Sequence, residues 1–286
     1  WATYKNKDYI DVIESDLSNP FFQSNSKYFV PLLAVEMKLE GKWSKNWFVV
    51  YRRITNATNE RTMVSSIVPK SGLSDVVPLI TSTFDDHCFL LVANFNSLVL
   101  DYIARQKIGG VHIDFHQLKQ FSVIPKIYYL SEDIKFIKDK VIELTFNAYD
   151  LKSFTEDMGF IGEPFIWDED RRAILRAELD AYYAALYGLT RDELRYILDP
   201  QDVYGPDFPG ETFRVLKEKE IREYGEYRTR RLVLEAWDRL EANGELPRPA
   251  YENQEPAQPA SQINPPPAPQ EKIEITTPKP AKKTTP

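Results

Sequence analysis

The sequence predicts a mixed α/β domain, then a mainly α-helical region, and then a disordered tail rich in proline. Short β-prone runs between Tyr28 and Pro69 indicate strands, and apolar residues spaced three and four apart after Pro125 indicate helices. From Leu246 the chain is mainly Pro, Ala, Gln and Lys. It contains too few apolar residues to offset the loss of conformational entropy on ordering. These changes divide the chain into 1–27, 28–130, 131–245 and 246–286.

Composition limits the class of protein. Of 286 residues, 43% are hydrophobic, enough for a sizeable core. A single cysteine, Cys88, excludes a disulfide framework, and with three histidines it makes a structural zinc site unfavourable. No apolar run approaches the roughly 18 residues needed to cross a bilayer, and no signal peptide is visible. We therefore expect a cytoplasmic protein without a membrane partner.

The first segment, residues 1–27, is expected to be a linker or the remnant of an upstream domain. Because the sequence begins at Trp1 rather than Met, we expect the reading frame to extend upstream. Residues 28–69 are then predicted to be mostly strand, with β-prone runs at 47–51 and 63–68. The polar loop between these two runs is the first candidate binding segment.

This loop and its flanks are dense in hydrogen-bond donors. Arginine pairs bidentately with guanine, asparagine with adenine, and threonine and backbone amides with phosphate. Such donors are typical of a loop that reads a DNA target, whereas the alternative is a structural role in which Arg61 ties the loop to the sheet. The candidate DNA-binding residues here are Arg52, Arg53, Asn59, Arg61 and Thr62.

The stretch Phe89–Pro125 organises the α/β part. Apolar residues at helical spacing predict one buried helix ending near Lys107, with Arg105 and Lys107 at the negative end of its dipole. Gly109-Gly110 is expected to turn the chain through conformations closed to other residues. The alternation that follows predicts one or two strands, formed by Val111, Ile113, Phe115, Phe121 and Val123.

The glycine turn supplies the second group of candidate DNA-binding residues. A basic helix end followed by a glycine turn can present amides and cations to a phosphate. The alternative is a turn within the protein, with His112 hydrogen-bonded inside. The candidates are Arg105, Lys107, Gly109, Gly110 and His112.

Charge is unevenly distributed along the chain. The net charge is −7, and the acidic excess lies in residues 141–286, whereas residues 42–70 are locally basic. A DNA-reading protein needs a local basic surface rather than a basic total, so the charge permits DNA binding. An ordinary solvated basic face accounts for the same pattern.

Helices are expected through the second half of the chain. Ser131 can cap a helix over 132–149, and acids at 168–170 begin a second that ends before Gly188. Thr190 and Glu193 form a capping box for a third. A fourth is predicted over 224–240, where three arginines, Arg228, Arg230 and Arg231, indicate a solvated face or a phosphate contact.

Three runs of the chain resemble one protein family. They are LDYIARQKIGGVHIDFHQLKQFSVIP (Leu100–Pro125), RRITNATNERTMVSSIVP (Arg52–Pro69), and FIWDEDRRAILRAELDAYYAALYGLTRDELRYIL (Phe165–Leu198) with YGEYRTRRLVLEAWDRL (Tyr224–Leu240). Together they resemble the C-terminal target-recognition region of large adenine-N6-specific DNA methyltransferases. Those are type IIG-like single-chain methylases of bacterial restriction-modification and phage-defence systems.

The resemblance implies a function for the chain. It would hold duplex DNA and read the target, so that an upstream methyltransferase domain can flip out adenine and transfer methyl from SAM. The Asn59–Thr62 run resembles a part shared whatever the target, which favours framework or phosphate contact over base reading. Relatives carry Thr and Asn where this chain has Val111 and Asp114, so a hydroxyl is lost and a negative charge gained. Helicase or nuclease subunits are further partners that the family implies.

The chain itself contains no convincing catalytic motif. Asn19-Pro20-Phe21-Phe22 is superficially similar to the Asn-Pro-Pro-Tyr/Phe motif of adenine methyltransferases, but it has one proline, and no glycine-rich SAM loop is present. We expect a chain that binds DNA, with SAM held by the upstream domain. The alternative is a module that docks a partner subunit of a defence complex, with only incidental DNA contact.

Overall fold

The β-prone residues of the first half form two small antiparallel sheets in the computed structural model, which describes residues 2–5, 7–81, 87–210 and 212–253. Strands β1 (Ala2–Lys5) and β2 (Asp8–Asp11) make a hairpin. Strands β3 (Trp47–Tyr51), β4 (Ser65–Pro69) and β5 (Leu79–Ile80) form a sheet in the order β4-β3-β5. The predicted mixed α/β architecture with a helical region is confirmed.

The central strand β3 is buried along its whole length. Trp47, with no exposed surface, packs edge-on against Trp43 and Phe154. Its indole nitrogen donates to the carboxylate of Asp157 at 2.8 Å, so the polar atom of this buried ring is satisfied. The sheet is thereby anchored to residues far along the chain.

The segment 1–27 packs against the rest of the protein. It contains helix α1 (Glu14–Leu17), and the amide of Tyr149 donates to the carbonyl of Pro20 at 2.9 Å. Helix α2 (Leu32–Leu39) follows, in a stretch where strand was predicted. That prediction was wrong because seven of the eight residues of α2 are Leu, Ala, Met, Glu or Lys, which are strong helix formers, and Pro31 fits the helix start.

The organising helix is two helices, α3 (Cys88–Asn96) and α4 (Leu98–Lys107), bent by 69°. Ser97 breaks the run: its backbone is extended and its hydroxyl accepts from the amide of Leu100 at 3.3 Å. The carboxylate of Asp180 accepts from the amide of Leu98 at 2.7 Å and completes the cap. The prediction of one continuous helix was therefore wrong.

The strand predicted after the glycine pair is also wrong. Only an isolated bridge between Ile54 and His112 is present, and helix α5 (Phe115–Leu118) follows. The amide of Asp114 donates to the side chain of Gln117 at 2.9 Å, so a capping arrangement outweighs the apolar alternation. A 3-10 turn, Lys126–Tyr128, ends this part of the chain.

The second half is helical, as predicted, but Ser131 is the first residue of its helix rather than the cap, and the side chain of Asp133 accepts from the amide of Leu130 at 2.7 Å instead. Asp168 caps the helix Glu169–Leu186 by accepting from the amide of Arg171 at 2.9 Å, Gly188 after its end has φ +78°, and Thr190 caps the helix Arg191–Leu198. The predicted helix at 224–240 lies slightly later, at Arg228–Ala242, and the helices Pro200–Tyr204 and Arg214–Tyr224 were not predicted. The helices are α6 (Ser131–Thr145), α7 (Lys152–Asp157), α8 (Glu169–Leu186), α9 (Arg191–Leu198), α10 (Pro200–Tyr204), α11 (Arg214–Tyr224) and α12 (Arg228–Ala242).

One continuous core joins the two halves. Buried side chains of β3, α3, α6, α8 and α12 belong to a single cluster, so the α/β part and the helical region share it. A 3-10 turn, Ala250–Asn253, lies where the tail was predicted to begin, and the side chain of Asn253 donates to the carbonyl of Tyr128 at 2.8 Å. The rest of the predicted disordered tail, 254–286, lies outside the described residues.

Among the described residues, no single helix is long and apolar enough to cross a membrane. The bent pair α3 and α4 reaches that length and composition when taken together. Most of its apolar side chains are buried inside the fold.

Candidate nucleic-acid interface

The fold joins the two segments that supply the candidate DNA-binding residues. The amide of Thr55 donates to the carbonyl of Val111 at 3.0 Å, and the amide of Ile113 donates to the carbonyl of Arg53 at 2.8 Å. These bonds flank the bridge between Ile54 and His112. The polar loop and the glycine turn, distant in sequence, therefore form one surface.

Arg105 lies beneath this surface, with a side chain only 4% exposed. All five of its N–H donors are used, each at normal hydrogen-bond distance. Burial lowers the pKa of its guanidinium, and the adjacent Asp101 carboxylate opposes that shift. The acceptors, at 2.6–3.0 Å, are the carboxylate of Asp101 and the carbonyl oxygens of Ala57, Asn59, Glu60 and Thr212.

Asp101 holds the other end of the same loop. Its carboxylate, fully buried, accepts from the amides of Thr62 at 2.8 Å and Met63 at 2.6 Å. Charged hydrogen bonds of this kind are the stronger ones in proteins. Asp101 and Arg105 together fix the backbone of the loop, so the predicted DNA contact of Arg105 is replaced by a framework role.

Three loop candidates are also turned towards the protein. Thr62 is fully buried and its hydroxyl donates to the carbonyl of Asn56 at 2.9 Å. The side chain of Asn59 donates to the hydroxyl of Thr55 at 3.2 Å. The guanidinium of Arg61 donates to the carbonyl of Asn96 at the end of α3. Arg61 therefore ties the loop to a backbone carbonyl, as in the structural alternative, but to one of a helix rather than of the sheet.

The two arginines before the loop differ in exposure. Arg53 is half-buried and pairs with Asp114 at 2.8 Å and with Asp75 at 3.3 Å. Arg52 is exposed, although its guanidinium also donates to the carbonyl of Arg61 at 2.5 Å. Asp114 is thus paired with Arg53.

The glycine turn remains accessible. Lys107, Gly109 and Gly110 are exposed, and His112 is half-buried. Neither glycine has a left-handed φ, and a Cβ at either would meet no atom within 4 Å. The expectation that these glycines serve a conformation closed to other residues was therefore wrong.

The helical region also contacts the polar loop, and the sequence did not predict this contact. The ammonium of Lys219 on α11 pairs with Glu60 at 2.9 Å, and this pairing raises the pKa of Lys219. The guanidinium of Arg105 lies 4.6 Å from the ring centre of Phe213. A charged pair four residues apart on an apolar helix, Asp101 and Arg105, was the sequence signal for this framework.

The arginines of α12 are paired with acids, and Arg231 is also exposed to solvent. Arg228 pairs with Asp170 at 2.7 Å and Arg230 with Asp202 at 2.9 Å. Arg231 contacts two acids of its own neighbourhood at 2.9–3.0 Å, Glu226 and Glu235. These pairs lower the capacity of the helix to attract phosphate.

A separate exposed surface lies at the start of the chain. Residues 28–37 present large apolar side chains to solvent, with Phe29 83% exposed and Met37 69% exposed, whereas Val35 and Leu39 pack against the core. A contiguous apolar surface of this kind is typical of an interaction site. We name it the α2 face, and its exposed members are Tyr28, Phe29, Val30, Leu32, Leu33 and Met37.

Within the described ranges, no group of three or more His, Cys, Asp or Glu residues could hold a metal ion. Cys88 is buried, as expected for a small core residue. The side chain of Asn19 accepts from the amide of Phe21 at 3.0 Å, which is consistent with the loop predicted there. Comparison of the chain with protein-family models, curated proteins and solved structures gave no match.

Proposed function

We propose that this chain is the DNA-binding and target-recognition part of a SAM-dependent adenine-N6 DNA methyltransferase of a restriction-modification or phage-defence system. Its role is to hold duplex DNA while an upstream domain binds SAM and methylates the flipped adenine. The observation that supports this most is the union of the polar loop and the glycine turn into one surface. The family resemblance of the same two segments supports it independently.

In this proposal the candidate residues have two roles. Arg52, Lys107 and the glycine turn contact DNA, a role supported by the exposure of Arg52, Lys107, Gly109 and Gly110. Arg105 and Thr62 are buried and hold the loop in one conformation. A loop that is ordered before binding loses less conformational entropy when DNA binds, which favours affinity.

DNA binding can be tested with the 286-residue chain and a fluorescent duplex, by anisotropy at salt concentrations between about 50 and 200 mM. The affinity should fall steeply with salt, and Arg52→Ala with Lys107→Ala should lower the salt slope by about 1 per lost contact. The control is Lys135→Ala with Lys152→Ala, which removes two exposed cations of the helical region. Equal loss in both double variants, or affinity unaffected by salt, would contradict the proposal.

The α2 face supports a second function, that of a docking module for a partner protein. Its partner would be the methyltransferase domain, or a helicase or nuclease subunit of the same system. Apolar contacts carry no counterion release, so this binding should be insensitive to salt. A chain that binds such a partner and shows no salt-dependent DNA affinity would favour docking over DNA recognition.

A further inference from the structure

Four consecutive backbone amides in the glycine turn have no acceptor within the part of the chain that the structure describes. They belong to Gly109, Gly110, Val111 and His112. Ile54 and His112 are a non-hydrogen-bonded antiparallel pair, because the two bridge bonds join the neighbouring residues on either side of them. In such a pair the amide of His112 points away from the segment that contains Ile54. Successive backbone amides in a turn are donors that proteins use to bind anions.

The two glycines have no role in the conformation of this turn. Gly188 and Gly225, by contrast, have φ values of +78° and +76° and are needed where they are. At positions 109 and 110 an alanine would fit the backbone and would meet no atom of the protein. What glycine provides there is the absence of a Cβ, which lets another molecule approach the main chain closely.

The local charge also favours an anion. The end of α4 carries a partial charge of about −0.5, which the full positive charge of Lys107 exceeds. Lys107 is exposed and has no ion pair among the residues described, whereas the nearby carboxylate of Asp114 is paired with Arg53. Lys107 therefore supplies the turn with a positive charge, and the ion pair with Arg53 offsets the negative charge of Asp114.

We propose that the turn 107–112 binds one phosphodiester of the DNA backbone through its main-chain amides and the ammonium of Lys107. This inference rests on the proposed DNA-binding function and assigns the ligand of one part of that surface. The contact positions the duplex and carries no sequence information of its own. Base reading then belongs to other exposed groups of the surface.

The first test is the double variant Gly109→Ala with Gly110→Ala in the 286-residue chain. Its melting temperature should equal or exceed that of the wild type, because alanine restricts the unfolded chain at no cost to the fold. Its affinity for duplex DNA should fall roughly tenfold, the value of one lost hydrogen bond to a charged group. A stable variant with weaker binding separates a ligand contact from a folding role.

The second test replaces single phosphates of the duplex with neutral methylphosphonates, one position at a time. At one position the wild type should lose about tenfold in affinity, and the double alanine variant should lose nothing further there. Inorganic phosphate should bind the wild type far more weakly than the duplex does.

The outcomes separate this inference from the proposed function. Wild-type DNA affinity in the double variant, with the same methylphosphonate profile, would overturn the phosphodiester site and leave DNA recognition standing. Loss of inorganic phosphate binding with unchanged DNA affinity would show a site for free anions only, and would also overturn it. A wild-type chain that binds no DNA would overturn both.

Discussion

Asp101 and Arg105 lie one turn apart on the buried face of α4, joined by a hydrogen bond of 2.9 Å. Between them they hold both ends of the polar loop: the carboxylate accepts from Thr62 and Met63, and the guanidinium donates to Ala57, Asn59 and Glu60. A buried charged pair costs much desolvation energy, and here its remaining donors and acceptors are occupied by the loop backbone. The loop is thus fixed by main-chain contacts that leave its outer surface free.

Arg105→Ala should lower the free energy of unfolding by about 3–5 kcal/mol, because it leaves the buried carboxylate of Asp101 without its partner. Urea denaturation at neutral pH measures this loss. Arg52→Ala, which removes an exposed guanidinium from the same surface, should change the value by no more than about 0.5 kcal/mol. Similar values for the two variants would contradict the framework role of Arg105.

Lys219→Met should lower the free energy of unfolding by no more than about 1 kcal/mol, because its ion pair with Glu60 is 40% exposed and screened by solvent. Added salt should reduce the difference between variant and wild type. The measurement is urea denaturation at low and high salt. A loss of unfolding free energy well above about 1 kcal/mol would mean that Lys219 also makes buried contacts with the loop.

Asp180 should make stability depend on pH. It is fully buried, and burial raises its pKa to about 6, while Arg61, the amide of Leu98 and Arg176 oppose the shift and Asp101 adds to it. The folded pKa lies above the unfolded value of about 3.9, so the folded chain binds more protons between the two values. The contribution of Asp180 to the free energy of unfolding is therefore full at low pH and falls as pH rises from about 4 to about 6.

Asp180→Asn isolates this contribution, since the amide oxygen can still accept from Leu98. The wild-type stability minus that of the variant should fall across this pH range and stay level above it. Urea denaturation at several pH values measures the difference. A flat difference would show that the Asp180 carboxylate keeps its ordinary pKa in the folded chain, and a difference that rises with pH would show that the fold lowers this pKa; either would contradict the prediction.

Leu33→Lys should leave the stability of the chain unchanged, because Leu33 is 68% exposed on the α2 face. Leu39→Lys is the matched control on the same helix, and it should destabilise by several kcal/mol because Leu39 packs against the core. Thermal unfolding compares the two. A destabilised Leu33→Lys variant would mean that the α2 face is covered within the chain itself.

Gly225→Ala should lower the free energy of unfolding by about 1 kcal/mol, a purely conformational cost. Gly225 ends α11 with φ +76°, and a Cβ there would meet no atom within 4 Å. Urea denaturation of this variant sets the scale for the alanine substitutions in the glycine turn. No loss would mean that the end of α11 relaxes to accept a side chain.

Local signals predicted the helices α8 and α9, but not α2, α5, α10 or α11. Asp168 and Thr190 cap helices with donors three residues away, and Gly188 ends one, so the sequence around each contains the whole interaction. The break at Ser97 could not be predicted in the same way. It depends on Asp180, which is far along the chain and reaches Leu98 only after α4 packs on α8.

The candidate site was predicted as a region but not as a set of contacts. The two segments were both chosen from sequence, and the fold places them side by side. Arg105 resembled an exposed cation at a helix end because sequence spacing does not show which face of α4 is buried against the loop. The acceptors that determine its role are backbone carbonyls. Because every residue has a carbonyl, the amino-acid sequence does not show which ones will accept from Arg105.

The shared core restricts how this region can be exchanged between proteins. Tyr183 of α8 donates to the carbonyl of Leu90 in α3, and Thr212 holds Arg105 from the other half of the chain. A chimera that imported residues 28–130 alone would lose both hydrogen bonds, because the residues that face Leu90 and Arg105 would come from another protein. Modular transfer would have to move the loop, the glycine turn and α8 to α12 as one piece, so this region would diversify more readily by changes of surface side chains than by exchange of segments.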